Sequence, residues 1–455
     1  MNKFNELKGK RFHFIGIGGI SMSALALILK KNKIYVQGSD LVSNEETKKL
    51  EKQGVKIFYE HNAKNLKDID AVVYTSAICN DNDELKFAQK KKLIILKRAE
   101  LLGIVAELYN CTIAIAGSHG KTTTTAMLAE IFMHAGLKPT FHIGGVLNSV
   151  KSNYKLQNKK FFITEACEYK DNYLYIKPDI SVILNVDGDH LDYFGDLDGV
   201  KLSYKKFKDN TKNGGITVIC EDDDNSKHLK GQNVAYFGLS KKADIYASNI
   251  KEYKPCYYSF DVMFSRFKLG NIKLNILGKH NIYNALACVL VSIACAIDFC
   301  DIKKALESFS GVKRRCEKIK EINGASIYHD YAHHPKQIKK MIQVGRELTA
   351  SSNGRVIVVF EPHTYSRTKL LIDEFATCFS SADIIIFAPV YSAREKPSAG
   401  YDSLVLEKET KKNISNVLYL VSFKKIKEKV LSEIKSGDVV LILGAGTIEK
   451  LAEMF

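Results

Sequence analysis

The sequence predicts an α/β protein of three domains in series, each built on a largely parallel sheet. Three observations carry this. Short apolar runs alternate with helical stretches along the chain, the pattern of parallel strands joined by crossover helices. A glycine turn, Gly16-Ile17-Gly18-Gly19, follows the first of those runs. A second turn, Gly117-Ser118-His119-Gly120-Lys121-Thr122, follows the run Cys111 to Ala116 and opens a helix that starts in threonines.

The chain has 455 residues, room for about three domains of ~150 residues. The expected divisions are 1–108, 109–312 and 313–455. In the first, strand Arg11 to Ile15 leads through the glycine turn into a helix from Ile20 to Lys30. A second strand from Lys33 to Gln37 ends at Gly38-Ser39-Asp40. An acidic residue at that distance from a glycine turn is the layout of a dinucleotide fold, though the turn alone also fits a simple tight bend. Strands are expected at Lys56 to Phe58, Ala71 to Tyr74 and Leu93 to Leu96, then a helix from Arg98 to Tyr109.

The middle segment carries strands at Cys111 to Ala116, Phe161 to Thr164, Ile180 to Asn185 and Ile216 to Cys220. A tyrosine-rich stretch from Ala243 to Ile276 reads as a small antiparallel sheet, followed by a helix from Tyr283 to Ala296. The last segment, from Arg314-Arg315, alternates again, with strands at Ala325 to His329, Arg355 to Phe360, Ile384 to Ala388 and Val439 to Leu443.

Composition is that of an ordinary globular enzyme, 45% hydrophobic and 26% charged. The net charge of +16 suits anionic partners. Its lysines are scattered, however, with no basic block interleaved with aromatics, so nucleic acid is not an expected partner. The ten cysteines form no C-x-x-C pair and read as small buried hydrophobes of a reducing compartment. The polar start Met1 to Glu6 and the short longest apolar run, Ala285 to Ile297, predict a cytoplasmic protein without a membrane span.

The chemistry is expected at the second turn. A glycine-rich bend entering a helix offers backbone N–H groups and a positive helix end to an anion. Lys121 can reach the outer phosphates and a threonine hydroxyl can ligate Mg²⁺. Ile115 stands where the usual P-loop has its first glycine, so this is a contracted G-x-x-G-K-T loop. The loop alone does not separate ATPase, kinase and ligase. Three clusters follow where strands or helices begin or end: Glu165-Ala166-Cys167-Glu168, Asn185-Val186-Asp187-Gly188-Asp189-His190-Leu191-Asp192, and Gly278-Lys279-His280-Asn281-Ile282-Tyr283-Asn284. A carboxylate in the first could face Mg²⁺. Asn281 and Asn284 could read a base edge, with His280 capping or stacking; a plain helix start is the alternative.

Taken in order, G-S-H-G-K-T-T-T-T, T-E-A-C-E, N-V-D-G-D-H-L-D, G-K-H-N-I-Y-N, G-V-K-R-R, D-Y-A-H-H-P, F-E-P-H-T-Y-S-R-T and G-A-G-T-I resemble the Mur ligases, from Gly16 to Gly446. The resemblance implies Rossmann-like outer domains and a central ATPase domain. It also implies a step of peptidoglycan precursor synthesis. ATP would phosphorylate the lactyl carboxylate of UDP-N-acetylmuramate, and the amino group of L-alanine would attack the acyl phosphate.

Position by position, the resemblance places Gly117, Ser118, His119, Gly120, Lys121, Thr122 and Thr123 on the ATP phosphates. Thr122 and Glu165 would hold one Mg²⁺ and His190 a second; the residue type alone suggests instead that His190 orients a carboxylate or water. His280, Asn281 and Asn284 would surround the adenine, with Arg315 and Asp330 at phosphates and ribose. Gly16, Gly18, Gly19 and Asp40 would take the UDP end, and His142, Gly144, Gly145 and Asn148 the path to the sugar. His333, His334 and Arg367 would place the amino acid, Arg367 as a fork for its carboxylate and a histidine as base. Read without the family, both histidines could equally be helix caps.

Two departures from the family stand out. Thr364 occupies a position where relatives often carry arginine, and Ser203 stands where several have a carbamylated lysine, with Lys201, Lys205 and Lys206 not aligning. No such modification is expected here. A rival within the class is a ligase adding a preassembled tripeptide; the compact segment Tyr391 to Pro397 favours alanine. A nicotinamide-dependent oxidoreductase leaves Lys121 and Glu165 without purpose. A nucleotide-gated binding protein does not explain equipment for two nucleotides. A monomer or homodimer is expected.

Overall fold

The apolar runs of the first hundred residues pair in register as a five-stranded parallel sheet. Its spatial order is Lys56–Phe58, Tyr35–Ser39, Arg11–Ile15, Ala71–Tyr74 and Ile94–Lys97. Parallel neighbours require the chain to cross back, which helices Ile20–Lys31, Glu45–Lys52 and Asp83–Lys90 accomplish. The second strand starts later than the pattern suggests. Lys33 turns left-handed at φ 63° and the Ile34 N–H closes on the Leu29 carbonyl, so the helix end takes up the first residues of the expected strand. This computed structural model describes residues 3–75, 77–393, 395 and 402–455.

A ten-stranded sheet forms the middle of the protein. Cys111–Ala116 lies inside it, parallel to Phe161–Glu165 on one side and Ile180–Ile183 on the other. Ile216–Cys220 and Val234–Gly238 continue the parallel run. The tyrosine-rich stretch does contain an antiparallel hairpin, Tyr257–Phe264 with Phe267–Lys273. It is not a separate sheet. Ile245–Lys254 pairs alongside Val234–Gly238 through Phe237 and Gly238, and an unpaired edge there would leave N–H and C=O groups exposed for other chains. On the opposite flank a hairpin, Thr140–Leu147 with Ser152–Lys155, escaped the pattern because two glycines interrupt its alternation.

The third sheet has six strands, ordered Glu317–Ile322, Ala325–Asp330, Val439–Leu443, Val356–Phe360, Ile384–Phe387 and Val417–Tyr419. The first is antiparallel to its neighbour and the rest are parallel. Among the described residues no helix is long and apolar enough to cross a membrane.

Two compact units emerge. One runs to Lys251 and includes Ser259–Asn275 and His280–Ser310; the other comprises Glu252–Tyr258, Ile276–Lys279 and Gly311–Phe455. Within the first unit the first two sheets share one core. Phe12, Phe14 and Val73 join Leu101 and Val105 of the helix Arg98–Ala106, and that helix joins Ala114, Phe162 and Ile183 of the second sheet. Tyr109 stacks on Phe162 with ring centroids 4.8 Å apart. The helix approaches so closely at Gly103 that a Cβ there would lie 2.1 Å from the Tyr175 carbonyl oxygen. Replacing Gly103 by alanine should therefore cost roughly 1–3 kcal/mol of stability through overpacking, read as a lower denaturant midpoint.

Candidate active site

The loop after Cys111–Ala116 is shaped by two residues that need positive φ, Gly117 at 141° and Gly120 at 84°. Neither has space for a side chain. A Cβ on Gly117 would lie 2.9 Å from Leu184 Cβ, and one on Gly120 would lie 2.6 Å from Asn284 Oδ1. The neighbouring strand end braces the loop. Asn185 Oδ1 accepts from His119 N at 2.8 Å while its Nδ2 donates to the His119 carbonyl at 3.1 Å. Asp187 N donates to Ser118 Oγ at 2.9 Å, and its carboxylate lies 3.6 Å from His119 Nε2. Helix Lys121–His134 starts directly behind Gly120, so its N-terminal turn faces the loop.

Lys121 heads that helix, and its ammonium donates to both oxygens of Glu168, at 2.8 and 3.0 Å, and to the Gly117 carbonyl. Glu168 is only 2% exposed. Burial by itself lowers the Lys121 pKa, but Glu168 and Cys167 outweigh it and hold the ammonium above its ordinary value. His190 Nε2 stands 3.8 Å from the same carboxylate, its ring tilted against Tyr169 at 4.7 Å. Two successive left-handed residues, Lys170 and Asp171, form the turn after Glu168. Asp171 is tied down by Tyr193 Oη at 3.0 Å and by Ser203 Oγ, which also meets Tyr173 Oη at 2.7 Å. Non-glycine residues in this region carry strain of about 1–3 kcal/mol each, found chiefly where a site demands it.

Beside the loop, Glu165 Oε1 accepts from Gly144 N at 2.6 Å. A Cβ on Gly144 would stand 2.8 Å from that carboxylate. His142 is buried, its Nδ1 meets Thr164 Oγ1 at 3.2 Å, and its Nε2 has no hydrogen-bond partner. Burial, aided by the Arg98 cation, pushes the His142 pKa down to about 3. Arg98 Nη1 donates to Ser21 Oγ at 3.2 Å. Burial lowers its pKa while Cys167 and Glu165 counter from nearby. Asn284 Nδ2 donates to Asn281 Oδ1 at 2.8 Å; both asparagines are buried, and Asn284 lies against Gly120 of the loop.

These three clusters, at the ends of strands Phe161–Glu165 and Ile180–Ile183 and at the start of helix His280–Ala294, therefore meet around the loop that carries Lys121. Known patterns match the chain in the same order. The Mur ligase family catalytic domain matches residues 11–110, the Mur ligase middle domain 115–292, and the Mur ligase glutamate ligase domain 314–446. The chain belongs to the Mur ligase family. Relatives named UDP-N-acetylmuramate–L-alanine ligase include one from Acetivibrio thermocellus, 40% identical over 98% of this chain and 96% of its own. Another, from Caldicellulosiruptor saccharolyticus, is 42% identical over 98% of both. The crystal structure of UDP-N-acetylmuramate–alanine ligase from Thermotoga maritima is 29% identical and superposes with a TM-score of 0.82 over 98% of each chain. A murein peptide ligase from Psychrobacter arcticus shares the fold at 23% identity, TM-score 0.73 over 98% of each chain.

In this Mur ligase the remaining expected residues lie as follows. At the first turn the Ser39 carbonyl accepts from Gly16 N and Ile17 N, and Asp40 Oδ2 accepts from Gly18 N at 2.8 Å. Those N–H groups thus shape the turn, and Gly19 caps helix Ile20–Lys31. Gly145 lies in the strand Thr140–Leu147, and Asn148 Nδ2 is engaged by the Ser310 carbonyl. Thr122 is buried and Thr123 half-buried in the first turn of the loop helix. Ser203 is buried, whereas Lys205 pairs with Asp209 at 2.6 Å and Lys201 with Asp198 at 3.5 Å; Lys206 is exposed.

The second unit gathers its own set. Asp330 accepts from Cys316 N at 2.7 Å and Ala332 N at 2.8 Å, which fixes the segment carrying Arg315. Arg315 lies over the Tyr331 ring at 5.4 Å. His333 Nδ1 meets the Tyr331 carbonyl at 2.9 Å, and its ring is 5.9 Å from that of His363, which Arg367 Nη1 approaches to 3.5 Å. His334 holds the N-cap position of helix Pro335–Thr349 without a side-chain cap bond. Thr364 takes φ 67° and caps the helix carrying Arg367, its Oγ1 accepting from Arg367 N. The segment Tyr391 to Pro397 reaches outside the described residues, as does the Asp192 side chain.

Sequence reasoning singled out neither Glu168 nor Arg98 nor His363. Glu168 was within reach, since it shares the T-E-A-C-E cluster; Arg98 carried no local signal beyond a helix start.

Two outcomes are expected. Glu168→Gln should leave the half-buried Lys121 without its counter-charge, at roughly 1–3 kcal/mol of stability. Excess ADP should restore much of the loss in a denaturation experiment. Burial, then Arg367, pushes His333 down to about 3, below the ordinary 6.5. The unfolded chain then binds the extra proton, so this contribution to stability is complete above 6.5 and lost as pH falls toward 3. His333→Asn should flatten that acid limb in pH-dependent melting.

Proposed function

We propose that the chain joins L-alanine to the lactyl carboxylate of UDP-N-acetylmuramate at the expense of ATP. The observation that carries this is full-length likeness, at 40–42% identity, to relatives bearing that name, combined with a phosphate loop whose lysine is held ready. The same reading divides the labour among 1–108 for the sugar nucleotide, 109–312 for ATP and 313–455 for the amino acid. Ten free thiols and ATP as co-substrate fit a reducing, cytoplasmic setting.

The chemical demand is to bring a carboxylate against a γ-phosphate, two anions that repel. A carboxylate oxygen attacks phosphorus, the bond to ADP breaks, and an acyl phosphate results. The amine of alanine then adds to the acyl carbon and loses a proton, and the C–O bond to phosphate breaks. Lys121 must leave Glu168 for the phosphates, where its charge offsets the repulsion. No three His, Cys, Asp or Glu side chains converge as a metal cage among the described residues. Mg²⁺ takes one or two protein oxygens and completes its shell with phosphates and water, a demand that a threonine hydroxyl and a carboxylate suit. Thr122 and Glu165 would hold one ion and His190 a second; when bound, Mg²⁺ supplies charge neutralisation on the phosphates.

The unpartnered Nε2 of buried His142, with Gly144 and Gly145 beyond it, supports a sugar path, and Arg98 adds a cation beside it. Gly16, Gly18, Gly19 and Asp40 form the UDP end. Asn281, Asn284 and His280 suit the adenine; Arg315 and Asp330, by their chemistry, suit phosphates and a ribose. In the second unit Arg367 suits the carboxylate of alanine, with His334 beside His333. A histidine held at about 3 is a poor base. Neutralising Arg367 with the carboxylate of alanine removes one of the depressing causes, so the substrate itself prepares His333 to accept the amine's proton.

The test is phosphate release with product mass, using ATP, Mg²⁺, UDP-N-acetylmuramate and either single amino acids or the tripeptide. Alanine-dependent release is expected; tripeptide-dependent release alone would transfer the chain to the recycling reaction. Lys121→Ala should abolish turnover with UDP-sugar binding nearly intact. Arg367→Ala should raise the KM for alanine far more than that for ATP; an unchanged KM for alanine would remove Arg367 from the amino-acid pocket.

A further inference from the structure

Under the first sheet lies a buried polar cluster that the ligation chemistry does not use. Glu84, in helix Asp83–Lys90, is fully buried. Its Oε1 accepts from Asn65 Nδ2 at 2.8 Å and lies 3.2 Å from His13 Nε2. Its Oε2 accepts from Ser39 Oγ at 2.6 Å and lies 3.1 Å from His61 Nδ1. Asn65, Ser39 and the two histidine rings thus converge on the one carboxylate.

The protons can be placed. Gln37 Nε2 donates to the Asn65 carbonyl at 2.6 Å, and Gln37 Oε1 accepts from Tyr35 Oη at 3.0 Å, which fixes the amide's orientation. Nε2 also lies 3.2 Å from His13 Nδ1, so that ring nitrogen accepts and His13 Nε2 carries the proton toward Glu84. The Ser39 hydroxyl gives its single proton to Glu84 and accepts from His61 Nδ1, 3.0 Å away. In the sheet His13 faces Gln37 across the strand pair Arg11–Ile15 and Tyr35–Ser39, and Ser39 faces Ile15. The cluster therefore grips the second strand at its last residue.

That residue controls the glycine turn. The Ser39 carbonyl accepts from Gly16 N at 2.8 Å and Ile17 N at 3.0 Å. Asp40, next in the chain, accepts from Gly18 N and Leu41 N, each at 2.8 Å. Gly18 is walled in, since a Cβ there would stand within 2.9 Å of Asn44, Thr47 and Asp40. Burying a carboxylate is costly, and an apolar replacement of similar shape is often as stable or more so. Stability alone gives no reason for a charge at this place.

We propose that Glu84, acting through Ser39, is a positioning residue for sugar-nucleotide binding: the buried cluster sets the Ser39 carbonyl and Asp40, and these set the turn that receives the uridine diphosphate. The inference rests on the reading that this turn is the UDP site. Glu84 and Ser39 touch no ligand themselves; they fix the main chain that does.

Binding of UDP and of UDP-N-acetylmuramate to the full chain, by calorimetry, tests it alongside steady-state kinetics and thermal melting. Ser39→Ala removes one hydroxyl and leaves Asn65, His13 and His61 on Glu84. It should raise the Kd for UDP and the KM for the sugar nucleotide about tenfold, with kcat and the KM for ATP within twofold. Glu84→Gln should move the same quantities in the same direction; if it does not fold, Ser39→Ala decides. A lower melting temperature with an unchanged Kd for UDP would make the cluster merely structural and overturn the proposal. Asp40→Ala separates the two levels. If it weakens UDP binding while Ser39→Ala does not, the positioning role alone is wrong. If neither changes the Kd, the turn is not the UDP site and both fall.

Discussion

One ion pair organises the middle of this protein. The Lys121 ammonium sits where a helix start, two glycines without room for a Cβ and a neighbouring strand end converge, and it is kept charged by Glu168. An ammonium left without a counter-anion there would lose its proton or its place. On the proposed reading, the carboxylate holds the place that phosphates would take. The turn that supplies Glu168 bends through two left-handed residues and is pinned by Asp171. The distortion next to the site keeps one anion at one distance from one cation.

The second unit is built on a different balance. There the cations Arg315 and Arg367 lie among aromatic and imidazole rings, and burial drives His333 and His363 below their ordinary pKa values. Asp330 spends both oxygens on backbone N–H groups. The arginines thus carry the positive charge of this set, while the nearby carboxylate Glu395 is held by Ser366.

The strands, the crossovers and the phosphate loop were legible because each is a local pattern: an apolar run, a glycine turn, a threonine-rich helix start. Glu165, His190, Asn281 and Asn284 were legible because they stand at strand or helix ends close to that loop. What escaped depends on contacts far apart in the chain. Nothing around Arg98 announces that it will meet Ser21 and lie near Glu165. Nothing in Phe12-His13-Phe14 says that its histidine will lie under Glu84. The strand Thr140–Leu147 was hidden by its glycines, one of which is needed because the Glu165 carboxylate occupies the place of its side chain. The joining of the tyrosine-rich hairpin to the main sheet turned on which edge stayed open, a property of the folded sheet.

The core shared by the first two sheets has a mechanical meaning. Leu101 and Val105 belong at once to the packing beneath the glycine turn and to the packing beneath the phosphate loop. Gly103 of the same helix presses directly on the Tyr175 backbone. The two sheets form one folding body, so heat should melt both in a single cooperative transition.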